Sequence, residues 1–160
     1  MINLKGEILT ELGFTLHHRC DIINYEGPFC SLFQDEDDNY YFFDLVDDDS
    51  NNNRWMVYGT TLEQLVNFFD KKISLLDIVK SNSEFYFLDI RDYRENNNLL
   101  YASVRLEKIT KVKYCDLPSQ YLYDDNNYFF DKEQSEILII EKIKLDIYKK
   151  IRTEKLKKLK

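Results

Sequence analysis

Residues 28–80 decide the fold, and they read PFCSLFQDEDDNYYFFDLVDDDSNNNRWMVYGTTLEQLVNFFDKKISLLDIVK. Three apolar runs alternate here with two polar segments, in the order Phe29–Phe33, Asp35–Asn39, Tyr40–Val46, Asp47–Asn53 and Arg54–Tyr58. Runs of aromatic and β-branched residues separated by short Asp/Asn segments are typical of strands joined by hairpin turns. The stretch therefore predicts three antiparallel strands. We interpret the acidic segments as turns because neither has the ligand spacing of an EF-hand loop.

The middle run, Tyr40–Val46, is apolar on both faces of the predicted strand. Alternate residues of a strand point to opposite sides. Tyr41, Phe43 and Leu45 share one side, whereas the other side carries Tyr40, Phe42, Asp44 and Val46. This pattern predicts a central strand covered on both faces, with Asp44 as the polar exception.

Two helices with capping boxes follow the third strand. Thr61 and Gln64 have the spacing at which each side chain binds the other residue's backbone N–H, and so have Ser74 and Asp77. The first helix has an apolar face formed by Leu62, Leu65, Val66 and Phe69.

The remaining chain predicts further strands at His17–Tyr25, Glu84–Ile90, Leu99–Leu106 and Lys111–Asp116. It also predicts a short helix before Gly13, a loop at Pro118–Asn127 and a long helix at Asp131–Lys160. In that helix we expect an isoleucine-rich face to dock as far as Ile151 and the final turns to project into solvent. The fold class is α+β, a single domain (1–160) with an antiparallel sheet of five or six strands packed with helices and a long C-terminal helix.

Charge is distributed unevenly along the 160 residues. The net charge is −7, but residues 149–160 contribute +6, so the rest of the chain carries −13. An acidic body repels nucleic acid and anionic membranes. No run approaches the roughly 20 apolar residues of a membrane span, and three scattered cysteines fit a reducing compartment. We therefore expect a cytoplasmic protein without membrane contact.

The central stretch resembles an uncharacterised bacterial domain family of unknown function. The resemblance covers about residues 25–80 and depends on Tyr25, Gly27-Pro28, Asp35–Asn39, Tyr40–Val46, Asp47–Asp49, Arg54-Trp55, Thr61–Leu65, Ile73-Ser74-Leu75 and Asp77. Most family members have a proline near the end of the third strand, where this chain has Gly59. The resemblance implies a bacterial or phage origin and an intracellular domain, and it supplies no catalytic residues.

Four residues are candidate binding residues: Asp44, Arg54, Trp55 and Tyr58. We expect Asp44 and Arg54 to lie close enough on neighbouring strands to form an ion pair or another hydrogen-bonded polar contact in the core. An enzyme with a site near Asp44 and Arg54 is an alternative. A concave pocket that holds two or more of Asp44, Arg54, Asp89, Arg91 and His18 would favour it. Phosphate-loop, nucleophile-elbow and zinc motifs are absent from the sequence, so we predict no catalytic residue, metal or cofactor.

The sequence thus favours a non-enzymatic interaction module, such as an inhibitor, immunity-type or scaffold protein. Its partner is predicted to be another protein, and self-association is compatible with the sequence. The alternative is a nucleic-acid-binding protein that uses the basic C-terminal helix, through Lys149, Lys150, Arg152, Lys155, Lys157 and Lys158.

Overall fold

The computed structural model describes residues 15–24, 28–48, 52–95, 98–109 and 134–159. Within these ranges the strands are β1 (Leu16–Asn24), β2 (Pro28–Asp35), β3 (Tyr40–Asp48), β4 (Asn52–Thr60), β5 (Phe85–Glu95) and β6 (Asn98–Ile109). The helices in the same ranges are α1 (Leu62–Phe69), α2 (Leu75–Ser81) and α3 (Gln134–Lys157).

The strands form one antiparallel sheet in which spatial order follows chain order from β1 to β6. α1 and α2 make the connection from β4 to β5. The predicted α+β class, antiparallel sheet and long C-terminal helix are confirmed. Three predictions lie outside the described residues: the helix before Gly13, the strand at Lys111–Asp116 and the loop at Pro118–Asn127.

Both predicted capping boxes are present and fix where α1 and α2 begin. The Thr61 hydroxyl accepts a hydrogen bond from the Gln64 backbone N–H (3.1 Å), and Gln64 Oε1 accepts one from the Thr61 N–H (3.0 Å). Ser74 and Asp77 repeat the arrangement at 3.1 and 3.0 Å. Each box satisfies backbone donors that the first helical turn leaves without partners.

The acidic segment between β2 and β3 is a tight turn organised by Asp35. Its Oδ1 accepts hydrogen bonds from the backbone N–H groups of Asp37 (2.9 Å) and Asn39 (2.8 Å). Its Oδ2 accepts one from the Tyr41 hydroxyl at 3.1 Å. Burial acts to raise the pKa of Asp35, but these hydrogen bonds outweigh it and lower the pKa overall. The carboxylate of Asp35 therefore stabilises the turn through hydrogen bonds, which agrees with the interpretation of this acidic segment as a turn.

All three helices cover the same face of the sheet. The core on this side contains Cys30, Leu32, Phe42 and Tyr58 from the strands, Leu65 and Phe68 from α1, Ile78 from α2, and Ile140, Ile143 and Ile147 from α3. The opposite face is buried as well, through Phe33, Phe43, Leu45, Trp55 and Leu88. The prediction that β3 is covered on both sides is therefore confirmed.

α3 docks through one narrow side. Ile140, Ile143 and Ile147 are buried, Ile151 is partly buried, and every residue from 152 to 159 is exposed. The apolar contact of the helix thus ends at Ile151, as predicted, because Lys155 and Lys158 succeed the isoleucines on that side.

Candidate functional site

Asp44 lies inside the core on the helix-facing side of β3. It is 0% exposed, and neither carboxylate oxygen has a hydrogen-bond partner of good geometry among the described residues. Cys30 is its direct partner in register on β2. Burial raises the pKa of Asp44 to about 7, and weaker interactions with the Cys30 thiol and the Tyr58 hydroxyl limit the rise. Asp44 is therefore a buried acid that solvent and substrate do not reach in this structure.

Arg54 pairs with Asp89 instead of Asp44. The two residues are directly opposite in register on β4 and β5. Arg54 Nε donates to Asp89 Oδ1 at 2.7 Å and its Nη2 donates to Oδ2 at 3.0 Å, which is the bidentate geometry typical of strong guanidinium–carboxylate pairs. The guanidinium also lies 5.3 Å from the centroid of the Phe87 ring. The expected contact between Asp44 and Arg54 is corrected: Met56 faces Asp44, and Arg54 satisfies its donors on the next strand.

The four predicted binding residues do not share a surface. Trp55 is 0% exposed on one face of the sheet, while Tyr58 is 1% exposed on the other, next to the helices. Asp44 is equally inaccessible, so only Arg54 of the four reaches solvent. In this arrangement Asp44, Trp55 and Tyr58 cannot contact a partner, and their contribution is to the core.

His18 and Cys20 lie on different sides of β1. His18 Nε2 is 2.7 Å from Asp21 Oδ1, and its ring meets Phe33 edge-on at 5.3 Å between centroids. Cys20 is buried in the core on the helix side. No group of three or more metal-ligating side chains occurs within the described ranges.

A cleft of about 760 Å³ lies between α1, α3 and the β2–β3 turn. Tyr40, Leu62, Val66 and Ile151 supply its apolar lining. Its lining also contains four basic and four acidic side chains, namely Lys72, Lys150, Lys155, Lys158, Asp38, Glu63, Asp70 and Glu154. The formal charges cancel, so the cleft has no net attraction for an ion of either sign.

Asp70 at the C-terminal end of α1 holds α3 beside this cleft. Lys144 Nζ lies 2.6 Å from Asp70 Oδ1, and the Tyr148 hydroxyl donates to Oδ2 at 3.0 Å. The hydrogen bond from Lys144 is the main cause of the lowered pKa of Asp70, and it also raises the pKa of Lys144. These contacts complement the buried isoleucines of α3 and fix the rotation of the helix about its axis.

The basic residues predicted for nucleic-acid binding do not form one face of α3. Lys150, Lys155 and Lys158 line the cleft, where Lys150 Nζ is 3.5 Å from Asp38 Oδ2. At about 100° per residue, Lys149 and Arg152 point away from the cleft, and Lys157 occupies a third side. A dense run of cations in the sequence therefore becomes a ring of dispersed cations around the helix.

The side of α3 opposite its docked isoleucines presents a regular stripe, which we call the outer seam. It consists of Leu138, Lys142, Leu145, Lys149, Arg152 and Leu156. All six residues are exposed, and the leucines retain 60%, 54% and 54% of their accessible surface. Sequence reasoning missed this surface because it looked for the apolar arc that docks the helix. The alternating spacing of four and three residues was the signal that could have revealed it.

Comparison with known proteins does not assign the chain to a family: no family model, curated protein or solved structure matches it. Among the helices that the structure describes, none is long and apolar enough to cross a membrane.

Proposed function

We propose that this chain is a non-enzymatic cytoplasmic interaction module of bacterial or phage origin, and that it binds another protein through the outer seam of α3. The observation that carries the proposal is the exposure of Leu138, Leu145 and Leu156 in one stripe. Isolated exposed apolar residues are ordinary on protein surfaces, whereas an aligned set is typical of an interface. An inhibitor or a scaffold protein could bind its partner through such an exposed helix face.

A protein partner fits the seam better than a nucleic acid does. Phosphates would pair with Lys142, Lys149 and Arg152 but would leave the intervening leucines in water. Another part of the basic set, Lys150, faces the carboxylate of Asp38 in the cleft. The acidic body, which carries −13 outside residues 149–160, adds long-range repulsion of a polyanion.

The geometry of the sheet supports a non-enzymatic role. Among the residues that the enzyme alternative would draw on, Arg54 and Asp89 pair with each other, whereas Asp44 is enclosed in the core and His18 lies against Phe33 on the opposite face. A catalytic group has to reach the proton or atom on which it acts. The described residues do present an exposed helix surface and a charge-balanced cleft.

Site-specific photo-cross-linking in the native host tests the proposal. A photoreactive phenylalanine analogue at position 145 is expected to trap a protein, whereas the same group at Asp37, on the exposed β2–β3 turn, is not. The adduct should disappear when Leu138→Ser and Leu156→Ser are introduced together, because both substitutions remove apolar contacts of the seam. Both leucines are exposed, so the substitutions leave the core unchanged. Absence of an adduct at position 145, or an adduct that nuclease removes, would overturn the proposal.

A further inference from the structure

The outer seam has the geometry of one side of a two-helix interface. Its residues are spaced alternately by four and three positions from Leu138 to Leu156, which gives the mean repeat of 3.5 found where helices pack side by side. At 1.5 Å per residue the seam is roughly 27 Å long. It occupies an arc of about 80° of the helix, because positions 3.5 residues apart return to nearly the same side. A partner helix that coils slightly around α3 in the left-handed sense could therefore contact its whole length.

The seam contains three cations without a carboxylate partner. Within the described part of the chain, Lys142, Lys149 and Arg152 form no salt bridge. The nearest acidic side chains on the flanks of the seam are already engaged. Glu141 Oε1 lies 3.5 Å from Lys144 Nζ, and Asp146 Oδ2 lies 3.7 Å from Arg19 Nη2.

These charges disfavour a second copy of the chain as the occupant. Two outer seams packed together would bring three cations against three cations, and like-charge juxtaposition across an interface is strongly unfavourable. An anionic membrane is also a poor match. The stripe contains no aromatic side chain, and the acidic body of the protein would be held near the lipid surface.

From this geometry, and resting on the proposed function, we infer that the partner supplies an acidic amphipathic helix. Its apolar residues pack against Leu138, Leu145 and Leu156, and its Asp or Glu residues face Lys142, Lys149 and Arg152. The leucines provide the buried area, while the charge pairs set the register and exclude helices without matching acids. The isoleucine side of α3 stays on the sheet, so binding requires no rearrangement of the core.

Two synthetic helical peptides of about 28 residues, a length at which helices are stable enough to test, probe this inference with the full chain. Both carry leucines opposite the three seam leucines. One carries Glu opposite the three cations, and its twin carries Lys there. If each swapped contact changes affinity about fivefold, the Glu peptide binds about a hundredfold more tightly, as measured by fluorescence anisotropy.

A charge-reversed seam, K142E/K149E/R152E, should prefer the Lys peptide. The matched control K72E/K157E/K158E changes the net charge by the same amount outside the seam and should keep the preference for Glu. Fluorescence of the buried Trp55 reports whether each variant is folded. Equal binding of the two peptides would refute the inference. So would a control variant that loses the preference as fully as the seam variant does, since overall charge would then explain it.

Two further outcomes separate this inference from the function on which it rests. If the cross-linked protein at position 145 persists in the K142E/K149E/R152E background, the protein-binding function stands and the acidic helix is refuted. If vesicles rich in anionic lipid or a DNA duplex bind the folded wild-type chain more tightly than the Glu peptide does, the acidic helix is refuted in favour of that polyanion. Loss of the adduct together with reversed peptide preference supports both.

Discussion

Replacing the buried Asp44 with asparagine should remove the pH dependence of stability that the raised pKa of its carboxyl group produces. The pKa of Asp44 is about 7 in the folded protein against an ordinary value of 3.8. The folded state therefore keeps a proton that the unfolded state has already released. Protons bound more tightly by the folded state make the free energy of unfolding fall as pH rises. At about 1.4 kcal/mol per pH unit, Asp44 lowers this free energy by about 4 kcal/mol between about pH 4 and pH 7.

The amide side chain that D44N introduces cannot ionise but has nearly the same shape as the carboxyl group. The wild type and D44N should therefore have similar stability at about pH 4, where Asp44 is protonated, and D44N should be more stable by about 4 kcal/mol at about pH 8. Urea unfolding followed by the fluorescence of Trp55, the single tryptophan, measures both proteins across this range. Asp35 and Asp70 have lowered pKa values, so their carboxylates lose their stabilising effect only as the pH falls below 3.8. That range lies outside the pH range of this experiment.

The matched control is D37N, which replaces an exposed carboxylate of the β2–β3 turn. Its stability should remain parallel to that of the wild type between about pH 4 and pH 8. The reasoning is refuted if the difference between D44N and the wild type stays constant over this range, or if the wild type gains stability relative to D44N as pH rises.

Two further substitutions test how α3 is docked. I143A should reduce the free energy of unfolding by about 3 kcal/mol because Ile143 is 1% exposed, whereas L145A at an exposed position should change it by less than about 0.5 kcal/mol. If urea unfolding shows similar losses for both variants, the helix is rotated differently from the structure described. K144M should cost about 1 kcal/mol at neutral pH by removing the hydrogen bond to Asp70, and this cost should shrink as pH falls below 3.8 and Asp70 is protonated. A cost that does not vary with pH would contradict this role of Asp70.

Local chemistry made the helix starts and the strand faces predictable from sequence. Thr61 with Gln64, and Ser74 with Asp77, form their capping boxes through contacts three residues apart, so no knowledge of the tertiary structure is needed. The faces of β3 follow from the two-residue repeat of a strand, which the sheet preserves from Tyr40 to Leu45.

The polar pairing could not be predicted because it depends on register across a long connection. β4 and β5 are joined through α1 and α2, and nothing in that segment states which residue of β5 will face Arg54. The sheet brings Asp89 opposite Arg54 and leaves Asp44 against Cys30 and Met56. A register shift between Leu45 and Asp47 on β3 also places Arg54 opposite Asp47, so the partner of Arg54 on β3 does not follow from a regular two-residue repeat.

The exposed residues were predicted less well than the buried ones. Trp55 and Tyr58 were predicted to be binding residues, but the apolar cover on both faces of the sheet encloses them. On α3 the many basic residues between 149 and 160 led to a prediction that considered only their charge, namely nucleic-acid binding. The outer seam depends on the alternation of Leu138, Leu145 and Leu156 with cations, and which side of α3 is exposed is known only once its isoleucine side is docked.

Every strand pairs with its neighbour along the chain, so the sheet can grow by successive pairing of neighbouring strands, although the connection from β4 to β5 is long because it contains two helices. The other pairings close short connections, which cost little entropy and form quickly. α3 has no such neighbour in the sheet, and its Tyr148 reaches an Asp70 that lies 78 positions earlier. We therefore expect docking of α3 to be a late folding step, so that the outer seam becomes a fixed surface only after the sheet beneath the helix has been assembled.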